Sequence, residues 1–145
     1  MVYAAMKSES LTAVARVILA AIGLSGLVLC AAACNLEPDP RGFGTHEQLG
    51  LTPCSFYQWT GRTCPSCGAT TAWAHVLRGD MAEGLSANLA ATLLCLATLI
   101  AVPWLLLSAC FGRWLWWKPR EWDVLLAGSA LLVVAILDWL RRILS

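Results

Sequence analysis

Val17–Cys34 reads VILAAIGLSGLVLCAAAC, eighteen residues without a charge. A helix needs about 20 predominantly apolar residues to cross the hydrocarbon core of a bilayer. This stretch therefore anchors a first span from about Leu11 to Cys34, with Arg16 near its start able to snorkel to the interface. Leu85–Phe111 forms a second span, uncharged throughout, in which Pro103 should kink or loosen the helix rather than end it. Trp122–Leu144 forms a third, with Asp123 at its start and Asp138, Arg141 and Arg142 near its end. Asp138 faces Arg141 at i+3 and Arg142 at i+4. Such pairing argues against a proton-relay role for this carboxylate.

The rest of the composition agrees. Of 145 residues, 59% are hydrophobic and 13% charged, where a soluble domain carries roughly 25% charged residues. Mean hydropathy is +0.67. A net charge of +1 excludes a nucleic-acid binder that works by neutralising phosphates. The expected fold is an all-α integral membrane protein, with about three transmembrane helices and a short interfacial or re-entrant helix after a Cys-x-x-Cys turn. Residues 1–34 form the membrane anchor, residues 35–84 a polar insert, and residues 85–145 a two-helix membrane hairpin.

Trp114, Trp116, Trp117 and Trp122 cluster around the Gly112–Glu121 connection, and Trp139 lies near the far end of the third span. Indoles favour the headgroup layer, so all five read as interfacial anchors. Arg113, Lys118 and Arg120 share that connection and suit a cytoplasmic surface. With Lys7, they favour a cytoplasmic N-terminus and an insert on the opposite face, although Arg141 and Arg142 pull the other way. The expected location is the inner membrane, multi-pass. A competing reading makes the N-terminus a signal sequence, with Lys7 and Arg16 as the charged region and cleavage at Ala31-Ala32-Ala33-Cys34. The long charged region and the absence of Leu three residues before Cys34 favour a retained anchor.

The chemistry is concentrated in the insert. Glu37-Pro38-Asp39-Pro40-Arg41-Gly42 reads as an extended run ending in a turn. Cys64-Pro65-Ser66-Cys67 then places two sulfurs toward one point, which is either a metal or each other. A helix should follow to about Arg78 and stop at Gly79, and its N-terminal N–H groups would lower the Cys67 thiolate pKa. Zinc needs four ligands for a closed site, and Cys54 and His46 are the nearest further candidates. A Cys54, Cys64, Cys67 and His46 set holding zinc or a similar soft ion is the leading reading. His75 lies about 10 Å along the helix from Cys67 and is set aside. Thr71, His75 and Arg78 share one polar stripe, expected to face water on an interfacial helix; the alternative has them line a polar pocket or bind an anionic headgroup.

A disulfide from Cys54 to Cys64 or Cys67 stays open if the insert meets an oxidising compartment. A thioredoxin-like site lacks its βαβ context, and Gly68 after Cys67 excludes c-type haem attachment. Cys30, Cys34, Cys95 and Cys110 lie in or beside apolar spans as small packing residues. Asp80 and Glu83 read as helix-capping acids. Phosphate loops, zinc-protease motifs and nucleophile elbows are absent; an enzyme stays open as the less favoured reading. The alternatives to a metal module are a structural or partner-binding membrane protein and, further off, a membrane thiol redox protein. Partners beyond lipid would be another membrane protein or a second copy, since Ala87, Ala90, Ala91, Gly128 and Ala130 permit close helix contacts.

The run Cys64-Pro65-Ser66-Cys67-Gly68-Ala69-Thr70-Thr71-Ala72, followed by Arg78-Gly79-Asp80 and Asn88, resembles the bacterial membrane proteins grouped as DUF2752. That family is marked by Cys-Pro-x-Cys-Gly-x-Thr-(Arg or Thr), a short helix, a Gly turn, and an Asn or Gln opening the next membrane helix. Gly44–Leu51 and Pro53-Cys54-Ser55-Phe56 look like variants of its upstream part, so the resemblance runs over roughly residues 42 to 111. It implies the fold and the membrane setting but no established activity.

Overall fold

The computed structural model of the protein describes residues 10–144, which leaves Lys7 outside the described residues. Six α-helices follow one another: α1 (Ala13–Asn35), α2 (Ser55–Thr60), α3 (Ala69–Leu77), α4 (Met81–Ala87), α5 (Leu89–Phe111) and α6 (Glu121–Leu144). A 3-10 helix, Thr45–Leu49, precedes α2. There is no strand among the described residues, only an isolated bridge between Ser10 and Arg113. Helices α1, α5 and α6 are long and apolar enough to cross a membrane.

Each long helix has a local reason for its ends. Thr12 caps α1 by accepting the Ala15 N–H at 3.2 Å. Gly112, at φ 67°, closes α5 in the left-handed conformation that favours glycine. Arg16 does not simply snorkel. Its Nε donates to the Ala109 carbonyl at 2.9 Å and its Nη2 to the Cys110 carbonyl at 3.3 Å. A cation on these last carbonyls satisfies acceptors that the helix itself leaves free. The Leu11 N–H adds a 2.8 Å bond to the Gly112 carbonyl. The start of α1 is thereby fixed to the end of α5, and the two run antiparallel.

Their contact is close because glycine makes it so. A Cβ on Gly23 would sit 2.7 Å from Leu106 Cδ2, and one on Gly26 would sit 2.6 Å from Val102 Cγ2. In lipid, where apolar surface alone gives helices little reason to associate, such close approach supplies the packing attraction. Ala87, Ala90 and Ala91 are likewise buried inside the chain. They pack within the molecule instead of being free for a partner, whereas Gly128 has nothing within 4 Å of its Cβ direction.

The second apolar stretch is shorter than its hydropathy suggests. Leu85–Ala87 belong to α4, and Asn88 breaks the helix at φ −164°, ψ 108° while its side chain accepts the Ala91 N–H at 2.9 Å. Asn88 thus opens the membrane helix. Pro103 lies within α5 without ending it. Helix α6 begins one residue earlier than expected, at Glu121, and packs on α5; Asp138 is its one buried residue. At the Gly112–Glu121 connection, Trp104 donates to the Leu115 carbonyl at 2.7 Å, and its ring lies 5.3 Å from that of Trp114 and 6.0 Å from that of Trp117.

Helix α3 is seated against both α1 and α5. Ala72, Ala87 and Ala91 form a small buried core, with Ala69 and Trp73 packed around it. The end of α1, the start of α5 and the end of α6 therefore gather around the segment that carries the cysteines. Gly26→Leu should lower stability in detergent by about 1–3 kcal/mol, the range for overfilling a packed contact. Gly128→Leu, made on an open face, should leave the melting temperature nearly unchanged. Thermal unfolding of the two variants beside the parent checks this.

Candidate metal centre

Cys54 stands at the N-terminal end of α2, and Gly61 at φ 69° stops that helix after one and a half turns. The chain then reverses into Cys64-Pro65-Ser66-Cys67. A Cys67 N–H bond to the Cys64 carbonyl at 3.1 Å and an Ala69 N–H bond to the Ser66 carbonyl at 3.1 Å close this segment into consecutive turns. Gly68 follows at φ 84°, and a Cβ there would lie 2.7 Å from the carbonyl oxygens of both Gly42 and Ala87. Only glycine fits this position, on both backbone and steric grounds.

The turn holds Cys64 Sγ and Cys67 Sγ 3.1 Å apart. Cys54 Sγ joins them, and the three sulfurs all lie within 4.8 Å of one another. None of the seven cysteines is in a disulfide. His46 does not enter the sulfur cluster, but it lines the same cavity of about 450 Å³, as do Phe43, Glu47 and Tyr57. His75 is not in the cluster either, as the helical rise requires; its Nδ1 lies 3.7 Å from Asp80 Oδ2. Asp80 makes no capping bond to α4.

The turn is gripped from two sides. Asn88 Nδ2 donates to the carbonyls of Pro65 at 3.1 Å and Cys67 at 3.0 Å. Arg142 donates to the same two carbonyls, Nη2 to Pro65 and Nη1 to Cys67, each at 3.1 Å. Asp138 orients that guanidinium, with Oδ2 3.1 Å from Arg142 Nε. It also accepts from Arg141 through Oδ1 at 2.9 Å, and from the Leu89 N–H through Oδ2 at 3.4 Å. The Asp138 side chain is 1% exposed and that of Arg142 13%, so this pair is sequestered while Arg141 stays at the surface. Trp139 completes the grip by donating to the Thr63 carbonyl at 2.7 Å, a structural bond rather than a free interfacial anchor.

The expected polar stripe does not form one watery face. Thr71 is fully buried and shares a 2.8 Å hydrogen bond with Thr45, which pins the 3-10 helix to α3. Arg78 folds back to donate to the Ala74 carbonyl at 2.9 Å. Thr71 and Arg78 thus bond within the fold, while His75 faces Asp80. In the cavity wall, Arg41 is tied by Asp39 at 2.8 Å and Glu47 at 3.3 Å, and stacks over Phe43 at 5.3 Å. The Phe43 and Tyr57 rings meet at 4.9 Å.

The two turn cysteines are electrostatically unlike, and in the opposite sense to the expectation. Burial pushes the Cys64 thiol up, but hydrogen bonds to its thiolate from Ser66, Cys67 and Cys54 outweigh this and hold it at about 7. Burial first, then donation to Cys64, raises Cys67 to about 12. The N-terminus of α3 does not rescue Cys67, because desolvation of a buried thiolate is the larger effect.

Residues 54–102 match the family described as a protein of unknown function, DUF2752. This bears out the family resemblance over a narrower segment, one that contains all three cysteines and leaves His46 outside. No curated protein and no solved structure matches the chain.

The support residues Arg142, Asn88 and Trp139 were not foreseen as parts of this site. Their signal was an Asp138/Arg142 pair inside an apolar span, which is costly unless it has work to do. Arg142→Ala should destabilise the protein by about 3 kcal/mol, because the buried Asp138 carboxylate loses its sequestered partner. Unfolding of detergent-solubilised protein measures this. In metal-free protein, iodoacetamide should modify Cys64 well before Cys67, with a rate that rises through about pH 7 as the Cys64 thiolate forms. Mass mapping of the alkylated sites against pH reads that order directly.

Proposed function

We propose that this membrane protein holds one soft metal ion, zinc or a similarly thiophilic cation, through Cys54, Cys64 and Cys67. The observation that carries the reading is the mutual approach of the three sulfurs within 4.8 Å. With a metal–sulfur bond of about 2.3 Å, tetrahedral ligands stand about 3.8 Å apart, so the cluster reaches that geometry by small side-chain rotations. Thiolate ligands select zinc, copper(I) and iron–sulfur chemistry over hard cations. The turn that supplies two of them is also held rigidly by Asn88 and Arg142, which is the outer support a metal site needs. The ion organises the insert at one end of the helix bundle, whose exposed apolar faces meet lipid.

We place that end on the non-cytoplasmic side of an inner membrane, with the basic Gly112–Glu121 connection in the cytoplasm. Arg113, Lys118 and Arg120 support this placement. A second reading, a membrane thiol redox pair, draws on the 3.1 Å separation and unlike acidities of Cys64 and Cys67.

Elemental analysis of purified protein, paired with a thiol count, tests both. The metal reading expects about one ion per chain, with Cys54, Cys64 and Cys67 protected from alkylation until chelator is added. Cys54→Ser, Cys64→Ser and Cys67→Ser should each lower metal affinity by at least tenfold, roughly the loss that even outer-support residues of metal sites show. Metal-free protein lacking two reactive thiols would favour the redox reading. Metal-free protein with all seven thiols reactive on denaturation would remove both.

A further inference from the structure

We infer that an ion held by Cys54, Cys64 and Cys67 keeps its fourth coordination position open to the adjoining cavity, and that a small thiol binds there as an exchangeable ligand. The inference rests on the three-cysteine reading and goes beyond it, because a closed four-ligand site would hold its ion without any such exchange.

The first argument is the donor count. Among the described residues, the Cys/His/Asp/Glu group close enough to share an ion contains three members. Structural zinc sites are almost always closed by four protein ligands, whereas three protein ligands plus an open position mark sites that take a water or substrate. The nearby candidates for a fourth protein ligand are otherwise placed. Glu47 is bonded through Oε2 to Arg41, and Ser66 Oγ is engaged with Cys64 Sγ at 3.3 Å. His46 sits in the cavity wall outside the sulfur cluster, on a 3-10 helix whose position the buried Thr45–Thr71 bond fixes.

The second argument is access. Cys67 is buried, but Cys54 and Cys64 are only half-buried, and all three line the cavity of about 450 Å³. Small-molecule sites begin at about 300 Å³. Beside the sulfurs the wall presents Pro53, Phe43 and Tyr57 together with Gln58. It offers apolar contact for a carbon body and a polar group at its edge. Three thiolates select a thiophilic ion, and such an ion takes a further sulfur donor readily, so the ligand class we assign is a low-molecular-weight thiol, coordinating through sulfur. The incoming thiol gives up its S–H proton to solvent and, as thiolate, displaces the water at the open position, so that a metal–sulfur bond replaces a metal–oxygen bond and no electron is transferred. A thiol that enters at the open position also provides a route by which the ion leaves without all three cysteines releasing it first.

The experiment uses full-length protein in detergent loaded with cobalt(II), whose visible absorption reports its ligands, and 2-mercaptoethanol as the probe. The expected result is a saturable spectral change in the parent protein, and the same change at the same concentration in His46→Gln. Transfer of the ion to an excess of a coloured chelator should also accelerate with thiol concentration and level off where the spectral change saturates. A parent spectrum indifferent to thiol, with His46→Gln becoming responsive, would show that His46 closes the site and would overturn the inference while leaving the metal reading intact. Indifference in both proteins would overturn it too, because no fourth position is then accessible. Failure of the parent to bind either cobalt or zinc would instead overturn the three-cysteine reading itself, and this inference with it.

Discussion

Two backbone carbonyls, those of Pro65 and Cys67, carry the architecture of this molecule. Each accepts one N–H from Asn88 and one from Arg142. Asn88 is also the residue that opens α5, and Arg142 lies in the last turn of α6. Four hydrogen bonds therefore tie the cysteine turn to the ends of two long helices. Cys67 is buried, and a buried carbonyl left without a donor costs about 1–3 kcal/mol, so this acceptor needs its partners, and the partners come from far along the chain.

Asp138 makes the arrangement electrically possible. A guanidinium at 13% exposure would be costly to desolvate alone. The carboxylate, itself nearly inaccessible, neutralises it and is satisfied in turn by Arg141 and the Leu89 N–H. The pair contributes orientation more than net stability, since buried ion pairs roughly break even against their desolvation. Helix α6 touches the rest of the molecule sparingly along its length, so this polar junction supplies much of what locates its end. Where the cysteines point thus depends on a carboxylate about 70 residues further along the chain.

At the opposite end the solution is similar in kind. Arg16 donates to carbonyls at the end of α5, as Arg142 donates to those of the turn. Both arginines sit where an apolar helix meets a polar segment, and both satisfy backbone acceptors there. Between the two ends, packing depends on small residues. Gly23 and Gly26 bring α1 onto α5, and Ala72, Ala87 and Ala91 let α3 sit close to α5.

The three membrane helices were legible in the sequence because crossing a bilayer demands long uncharged runs, a constraint that acts on each segment separately. The Cys-Pro-Ser-Cys turn, the stop at Gly79 and the pairing of Asp138 with Arg141 and Arg142 were legible for the same reason: each rests on neighbours within a few residues. Proximity in space was not. Cys54 and Cys64 are ten residues apart, and nothing in that spacing distinguishes Cys54, which joins the cluster, from His46, which stays in the cavity wall. Thr71 looked solvent-facing because helical periodicity cannot show that the 3-10 helix covers it with Thr45. Nor could it show that Cys67 is the buried, weakly acidic thiol and Cys64 the acidic one, since desolvation depends on every element packed around a sulfur. Local chain chemistry determined the elements and their ends; the partners of each buried polar group were decided only when the three long helices came together.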